Sequence, residues 1–378
     1  MHVDVSPSRF RWARERARMT SAALARKFPK LEQWEAGARR PTLKQLETFA
    51  KATHAPIGFF FLPEAPVEVV PIPDLRTIRD AGVARPSPDL LDTVYVCQQR
   101  QDWYRDFARA EGDDPIPFVG SLTVDTPVEA AAASIRHTLS FDVAERREMA
   151  TWEEALRRFI ELADAAGILV MVSGVVGNNN RRKLDPEEFR GFALADPYAP
   201  LVFINGADSK SAQMFTLAHE IAHVWIGASG LSDVDPNAPA GPRVEQWCNH
   251  VAAELLMPAA ELREARRAGP LDQEVQRLAR HFKVSTLVVL RRLRDTGVLT
   301  GERYWEAYGA ELERIRAAKK SPGGDFYRTQ GARLSKRFAR ALIVSTVEGR
   351  STFTEAFRLL GVTKIGTFQE LGHSLGVA

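Results

Sequence analysis

His219-Glu220-Ile221-Ala222-His223 is an H-E-x-x-H sequence. Histidines four residues apart fall on one face of a helix, so both imidazoles can hold one divalent cation. The glutamate between them projects beside that face, where it can act as general base toward a water that the cation polarises. A hydrolytic site of this kind needs three protein ligands and an open fourth position. Glu245 is the leading third ligand, because it shares a helix face with Asn249 at i, i+4. Asn249 can then hydrogen-bond a ligating histidine. Glu254, further along the same helix, is the next candidate, and Asp233 and Asp235 in the connecting loop follow it. Two histidines and a carboxylate keep zinc a strong Lewis acid, so Zn2+ is the expected cofactor, although manganese or iron can occupy the same ligands. Glu220 would take a proton from the attacking water and deliver it to the leaving amine. Tyr198, His250, Tyr304 and Tyr327 are the candidates for stabilising an oxyanion. An extended peptide would lie along an edge strand, for which Phe189–Leu194 is the expected segment.

The elements that must position these groups are mostly helical. Apolar periodicity predicts helices over 88–110, 127–139 and 152–166, the H-E-x-x-H helix over 209–225, and a further helix over 244–256 closed by Met257-Pro258. Ile168–Val172, Phe189–Leu194 and Leu201–Ile204 are β-rich runs separated by a loop with three asparagines and by the turn Asp196-Pro197-Tyr198-Ala199-Pro200. The expected fold class is α+β, mostly helical, with a small antiparallel sheet packed on the metal-binding helix and helical regions at both ends. The segment 227–242, rich in Gly, Ser, Asp and Pro, is expected to be a loop, and Ala65–Pro73 a linker or extended arm. Residues 272–297 show a helix-turn-helix pattern around Lys283-Val284-Ser285. No repeat array is present.

Composition excludes several classes. The 378 residues suffice for two or three domains with real cores. Two cysteines, Cys97 and Cys248, rule out a disulfide framework and fit a reducing compartment, both packing as small hydrophobes. No apolar run is long enough to span a bilayer and the N-terminal stretch lacks a signal-peptide core, so a cytoplasmic protein with no membrane partner is expected. The net charge of +3 is unevenly spread, with 12 Lys or Arg against 5 Asp or Glu over residues 1–53 and 13 against 8 over 301–378. Basic ends can meet nucleic acid or an acidic partner.

The run from Ala212 to His223, then Glu245 and Asn249, then Ala252-Ala253-Glu254-Leu255-Leu256-Met257-Pro258, strongly resembles the ImmA/IrrE family of metallopeptidases over residues 150–300. That resemblance implies a zincin-like, zinc-dependent endopeptidase, with His219, His223 and Glu245 as ligands and Glu220 as the catalytic glutamate. Some members cleave an Xre-type repressor. The N-terminus resembles an Xre-type helix-turn-helix through Trp34-Glu35-x-Gly37 and Pro41-Thr42-Leu43-x-x-Leu46, but only five residues separate Phe28 from Trp34, which shortens the recognition helix. Arg26, Lys27, Lys30, Arg39 and Arg40 are the candidate DNA contacts there. Arg280, Lys283, Arg291, Arg292 and Arg294 are exposed candidates for DNA contact in the second helix-turn-helix, although the favoured role of that motif is to support the fold or dock a protein substrate.

The expected domains are 1–66 (Xre-like), 67–125 (linker and long helix), 126–265 (zincin-like metallopeptidase core), 266–300 (second helix-turn-helix) and 301–378 (helical extension). The leading functional reading is a regulatory zinc endopeptidase. Its protein substrate would be an Xre-type repressor or the product of an adjacent gene. The competing reading is a DNA-binding transcription regulator or antitoxin whose peptidase fold serves as a sensor or docking module.

Overall fold

The computed structural model describes residues 2–75, 85–232, 242–317 and 333–377. Asp233, Asp235 and Tyr327 lie outside them. The chain divides into two compact units, one formed by residues 1–71 with 78–95, the other by 72–77 with 96–378.

The first unit is a small helical bundle. Helices α1 (Pro7–Arg16), α2 (Ser21–Ala25), α3 (Leu31–Glu35) and α4 (Leu43–Ala52) precede a 3-10 turn at Ile57–Phe61. Thr20 caps α2 through the Ala23 amide, and Thr42 with Gln45 forms a reciprocal capping box on α4. Phe10, Trp34, Phe49 and Phe60 pack as one aromatic cluster, with ring centroids 5.5–6.2 Å apart. The helix that would read DNA, α3, has five residues. The first turns of α5 (Pro88–Glu111) also belong to this unit.

The second unit holds a four-stranded sheet between helices. Its helices are α6 (Val128–Leu139), α7 (Val143–Glu148), α8 (Trp152–Ala165), α9 (Lys210–Trp225), α10 (Arg243–Leu256), α11 (Ala259–Ala265), α12 (Leu271–Phe282), α13 (Thr286–Asp295), α14 (Gly301–Ala317), α15 (Lys336–Val347), α16 (Phe353–Leu360) and α17 (Ile365–Ser374). The strands are β1 (Leu169–Ser173), β2 (Gly191–Leu194), β3 (Leu201–Asn205) and β4 (Gly230–Ser232), in the order β1-β3-β2-β4. The sheet is mixed rather than antiparallel: β1 runs parallel to β3, because the segment between them makes β2 first. The expected edge is also corrected. β2 is paired on both sides, to β3 and to β4, and β4 is the edge strand next to it. β4 falls inside the segment expected to be loop, its three residues being too few to show a period. Both outer edges are met by the chain's own backbone. The Val172 amide on β1 donates to the Arg333 carbonyl at 3.0 Å, and Leu231 on β4 bonds to Pro73 and Leu75.

The core explains why α9 can carry polar chemistry. From Gln213 to Trp225 every residue of α9 is buried, so the helix is enclosed on all sides. Its start is capped by Ser209 on the Ala212 amide. Its end is turned at Gly227, whose φ of +66° suits glycine and whose Cα closely approaches Gly120. Trp225 stacks on Phe118 at 4.2 Å and fixes that end. The C-terminal end of α10, stopped by Pro258, exposes carbonyls that three guanidiniums satisfy. Arg136 donates to Glu254 O at 2.9 Å, Arg292 donates to Met257 O at 2.9 Å, and Arg146 donates to Leu256 O. Burial pulls the Arg146 guanidinium down to about 9.

Candidate metal centre

His219 and His223 lie on the face of α9 turned toward α10, and Glu245 and Asn249 lie on the facing side of α10. One ligand atom each from His219, His223 and Glu245 falls within 4.8 Å of the others, and all three residues are buried. The Glu245 carboxylate spans the pair, with Oε1 3.0 Å from His223 Nε2 and Oε2 3.3 Å from His219 Nε2. Its place in the first turn of α10 puts the charge at the positive end of the helix dipole. His219 donates Nδ1–H to Asn249 Oδ1 at 3.0 Å, which turns its Nε2 toward Glu245 and toward His223 Nε2, 3.1 Å away. Two imidazoles and one carboxylate converging this closely are a zinc donor set. The site residues therefore fit the expected metal.

Glu220 is fully buried beside this cluster, and its Oε1 has no hydrogen-bond partner among the described residues. Burial, and then the negative charge of Glu245, push its carboxyl well above the usual carboxylate range, against a weaker pull from the Ser232 hydroxyl. Burial alone would raise Glu245 too, but the His219 and His223 imidazoles outweigh it and hold the group at about 2. Burial lowers His223 below the ordinary imidazole value, and the neighbouring His219 adds to this against the opposing pull of Glu245. Two carboxyls in one site thus have opposed proton affinities, the pattern that separates a proton carrier from a permanent anion.

Two groups that the sequence reading missed complete the site. Ser232 on β4 is fully buried, with its hydroxyl 3.4 Å from Glu220 Oε2 and 3.3 Å from His223 Nε2. Directly opposite it in the β2–β4 register is Gly191. A Cβ at Gly191 would stand 2.6 Å from Thr216 Cγ2, 2.8 Å from the Phe203 carbonyl and 3.1 Å from Glu220 Oε1. Only glycine lets the sheet come this close to Glu220. A glycine within a β-rich run was a signal of close backbone approach; Ser232, in a segment rich in turn residues, offered none.

The other candidates lie elsewhere. Glu254, the second choice for third ligand, is a structural residue: it forms a buried ion pair with Arg292 and accepts from the Ala259 amide. Arg292 is accordingly buried rather than exposed. Arg291 pairs with Asp295 at 2.8 Å and Arg294 lies over the Tyr304 ring at 4.9 Å, which commits much of the second helix-turn-helix to internal contacts. Among the described residues no hydrogen bond joins Tyr198 or His250 to the cluster. Tyr198 packs under Arg109 at 4.8 Å, and His250 is half-buried near Asp295, Arg291 and Arg292, with burial lowering its imidazole. Tyr304 is buried beneath Arg294. In the first unit Arg26, Lys27, Arg39 and Arg40 are exposed and Lys30 is half-buried. Cys97 and Cys248 are buried free thiols, as expected. No helix among the described residues is long and apolar enough to cross a membrane.

A buried H-E-x-x-H helix beneath a small mixed sheet, with a carboxylate supplied by the next helix, forms a His-His-Glu cluster that could hold a metal ion. Residues 163–294 match the family described as the IrrE N-terminal-like domain, which supports over that stretch the resemblance to the ImmA/IrrE family. Residues 334–374 match a family described as a domain of unknown function. The radiation response metalloprotease IrrE of Deinococcus radiodurans is 29% identical over 194 residues, covering 50% of this chain and 54% of that protein. The protein of the same name from Deinococcus deserti is 30% identical over 167 residues, covering 40% of this chain and 59% of the relative. The chain thus spans little more than half the length of these relatives. No solved structure matches it significantly.

Proposed function

We propose that this chain is a regulatory zinc-dependent endopeptidase that hydrolyses a peptide bond in a specific protein substrate such as a transcriptional repressor. The observation that carries the proposal is the convergence of His219, His223 and Glu245 with a buried Glu220 beside them, whose Oε1 has no hydrogen-bond partner among the described residues and whose proton affinity is raised. When bound, zinc supplies Lewis acidity to a water and to the scissile carbonyl. Glu220 takes the proton released as the water oxygen bonds to the carbonyl carbon. It returns that proton to the nitrogen as the C–N bond breaks. The Ser232 hydroxyl, within reach of Glu220 Oε2, holds the carboxylate in place. Asn249 fixes the tautomer of His219. The substrate lies extended along the outer edge of β4, where main-chain hydrogen bonds align it.

In this reading residues 126–265 are the peptidase core, the basic N-terminal domain directs the enzyme to DNA or to a repressor bound there, and the C-terminal extension selects the partner. The test is incubation of the zinc-loaded chain with candidate repressors, including the product of the neighbouring gene. Glu220→Gln should lower cleavage by about 10²–10⁴-fold while one zinc remains bound. Cleavage that persists in Glu220→Gln, or a purified chain that never retains zinc, refutes the proposal.

A further inference from the structure

The outer edge of β4 is not open. Leu231 is the residue of that strand whose N–H and C=O both point away from β2, as alternation in an antiparallel pair requires. Both groups are taken. The Leu231 amide donates to the Pro73 carbonyl at 2.9 Å, and the Leu75 amide donates to the Leu231 carbonyl at 2.9 Å, so that Asp74 pairs with Leu231 in parallel register. A peptide seeking main-chain contacts with this strand would need the same two groups.

The sequence of this segment suits a temporary occupant. Pro71 and Pro73 hold the backbone extended before it reaches the edge, which reduces the ordering that docking requires. Pro73 also lacks the N–H that would continue the ladder toward Ser229, and among the described residues two hydrogen bonds hold the segment to β4. The side chain of Leu75 rests where Gly230 has none: a Cβ on Gly230 would stand 2.5 Å from Leu75 Cδ1. Gly230 and Ser232 share one face of β4, and that face carries the Ser232 hydroxyl to Glu220 and His223. Leu75 therefore lies over the face of the edge strand that borders the metal centre.

We infer that Pro73–Leu75 is a displaceable strap that closes the peptide-docking edge of the site, so that an extended peptide binds only after the strap has left. The inference rests on the proposed peptidase function for the identity of the ligand. Two backbone hydrogen bonds and one leucine contact correspond to a roughly tenfold to hundredfold reduction in apparent peptide affinity.

The experiment uses the full chain with two probes, acetohydroxamate, which needs only the metal, and a leucine-containing tripeptide hydroxamate, which needs the metal and the edge. Leu75→Pro removes both the hydrogen bond to Leu231 and the side chain over Gly230. It should tighten the tripeptide probe at least about tenfold in the zinc-loaded protein, leave acetohydroxamate unchanged, and speed exchange of the Leu231 amide by a similar factor in metal-free protein. Leu75→Cys with Gly230→Cys should do the reverse when oxidised, since Leu75 Cγ lies 3.0 Å from the Gly230 Cβ position, where a sulfur can bridge. Reduction should then restore binding. The double variant also covers the case in which Leu75→Pro folds poorly. If acetohydroxamate itself does not bind, the metallopeptidase reading fails and the strap loses its ligand. If acetohydroxamate binds while the tripeptide probe binds wild type, Leu75→Pro and the oxidised double variant alike, the strap inference alone is overturned.

Discussion

Removing Asn249 tests whether the site is preorganised for a metal. Asn249 touches no reacting atom; it accepts the Nδ1–H of His219 at 3.0 Å and so sets which nitrogen of that ring faces Glu245. In Asn249→Ala a neutral hydrogen bond is lost, about 1 kcal/mol, and a donor on a fully buried imidazole is left without its partner, about 1–3 kcal/mol. Asn249 is itself half-buried, so water can enter and recover part of that loss. The expected weakening of zinc binding is therefore near 1.4 kcal/mol, about tenfold, at the lower end of the range for groups that orient a metal ligand. Asn249→Asp keeps the acceptor and adds charge assistance, so it should bind zinc at least as tightly as wild type. Competition against a chromophoric chelator at neutral pH measures all three proteins. An Asn249→Ala affinity within twofold of wild type, or an Asn249→Asp protein as weak as Asn249→Ala, would show that the hydrogen bond does not orient the ligand.

Three further outcomes are expected. Gly191→Ala should destabilise the fold by about 1–3 kcal/mol, because its Cβ meets the Phe203 carbonyl and Thr216 as well as Glu220; an unchanged melting temperature would mean that the sheet is not held against α9. Arg292→Met should cost about 3–5 kcal/mol by stranding the buried Glu254 carboxylate, and Glu254→Leu added to it should recover much of the loss. Chemical denaturation measures both, and zinc stoichiometry should stay at one throughout, since Glu254 is not a ligand. Cys97, held at about 11 by burial, and Cys248, raised well above the usual thiol value by burial and by Glu245 and Glu220, should be inert to a thiol reagent at neutral pH until the chain unfolds. Rapid labelling of the folded protein near neutral pH would contradict their placement in the core.

The part of the site legible in the sequence is the part written in helical period. His219 and His223, and Glu245 and Asn249, are i, i+4 pairs, and that spacing alone puts each pair on one face. The facing of the two pairs required α9 and α10 to pack, which their apolar residues imply without stating the register. What stayed hidden depends on contacts distant in sequence. The direction of β1 against β3 is a property of chain routing. β4 is only three residues long and occurs among turn residues, so neither its existence nor the place of Ser232 could be read. Glu254 and Arg292 are alike in type to a ligand and to a surface contact, and only their pairing across 38 positions identifies them as each other's counter-ion. Pro71 and Pro73 did announce an extended arm, though not what the arm lies against.

The site divides its labour between two layers. The proposed metal ligands and Asn249 belong entirely to α9 and α10, while the groups that fix the environment of Glu220 at its far side, Gly191 and Ser232, belong to β2 and β4. Substitutions in the helical pair should therefore move metal affinity, and those in the strand pair should move proton transfer at constant metal content. Ser232 is the sharpest case, because its hydroxyl is near both layers at once, 3.3 Å from His223 and 3.4 Å from Glu220. If it serves the base, Ser232→Ala removes a donor that favours the ionised Glu220 and leaves zinc binding intact. The pKa of Glu220, already raised, then rises further, and the pH at which the base becomes competent moves upward. A Ser232→Ala protein whose zinc affinity fell while its pH profile stood still would place the hydroxyl with the helices instead. The strand pair would then have only its glycine at the reaction centre.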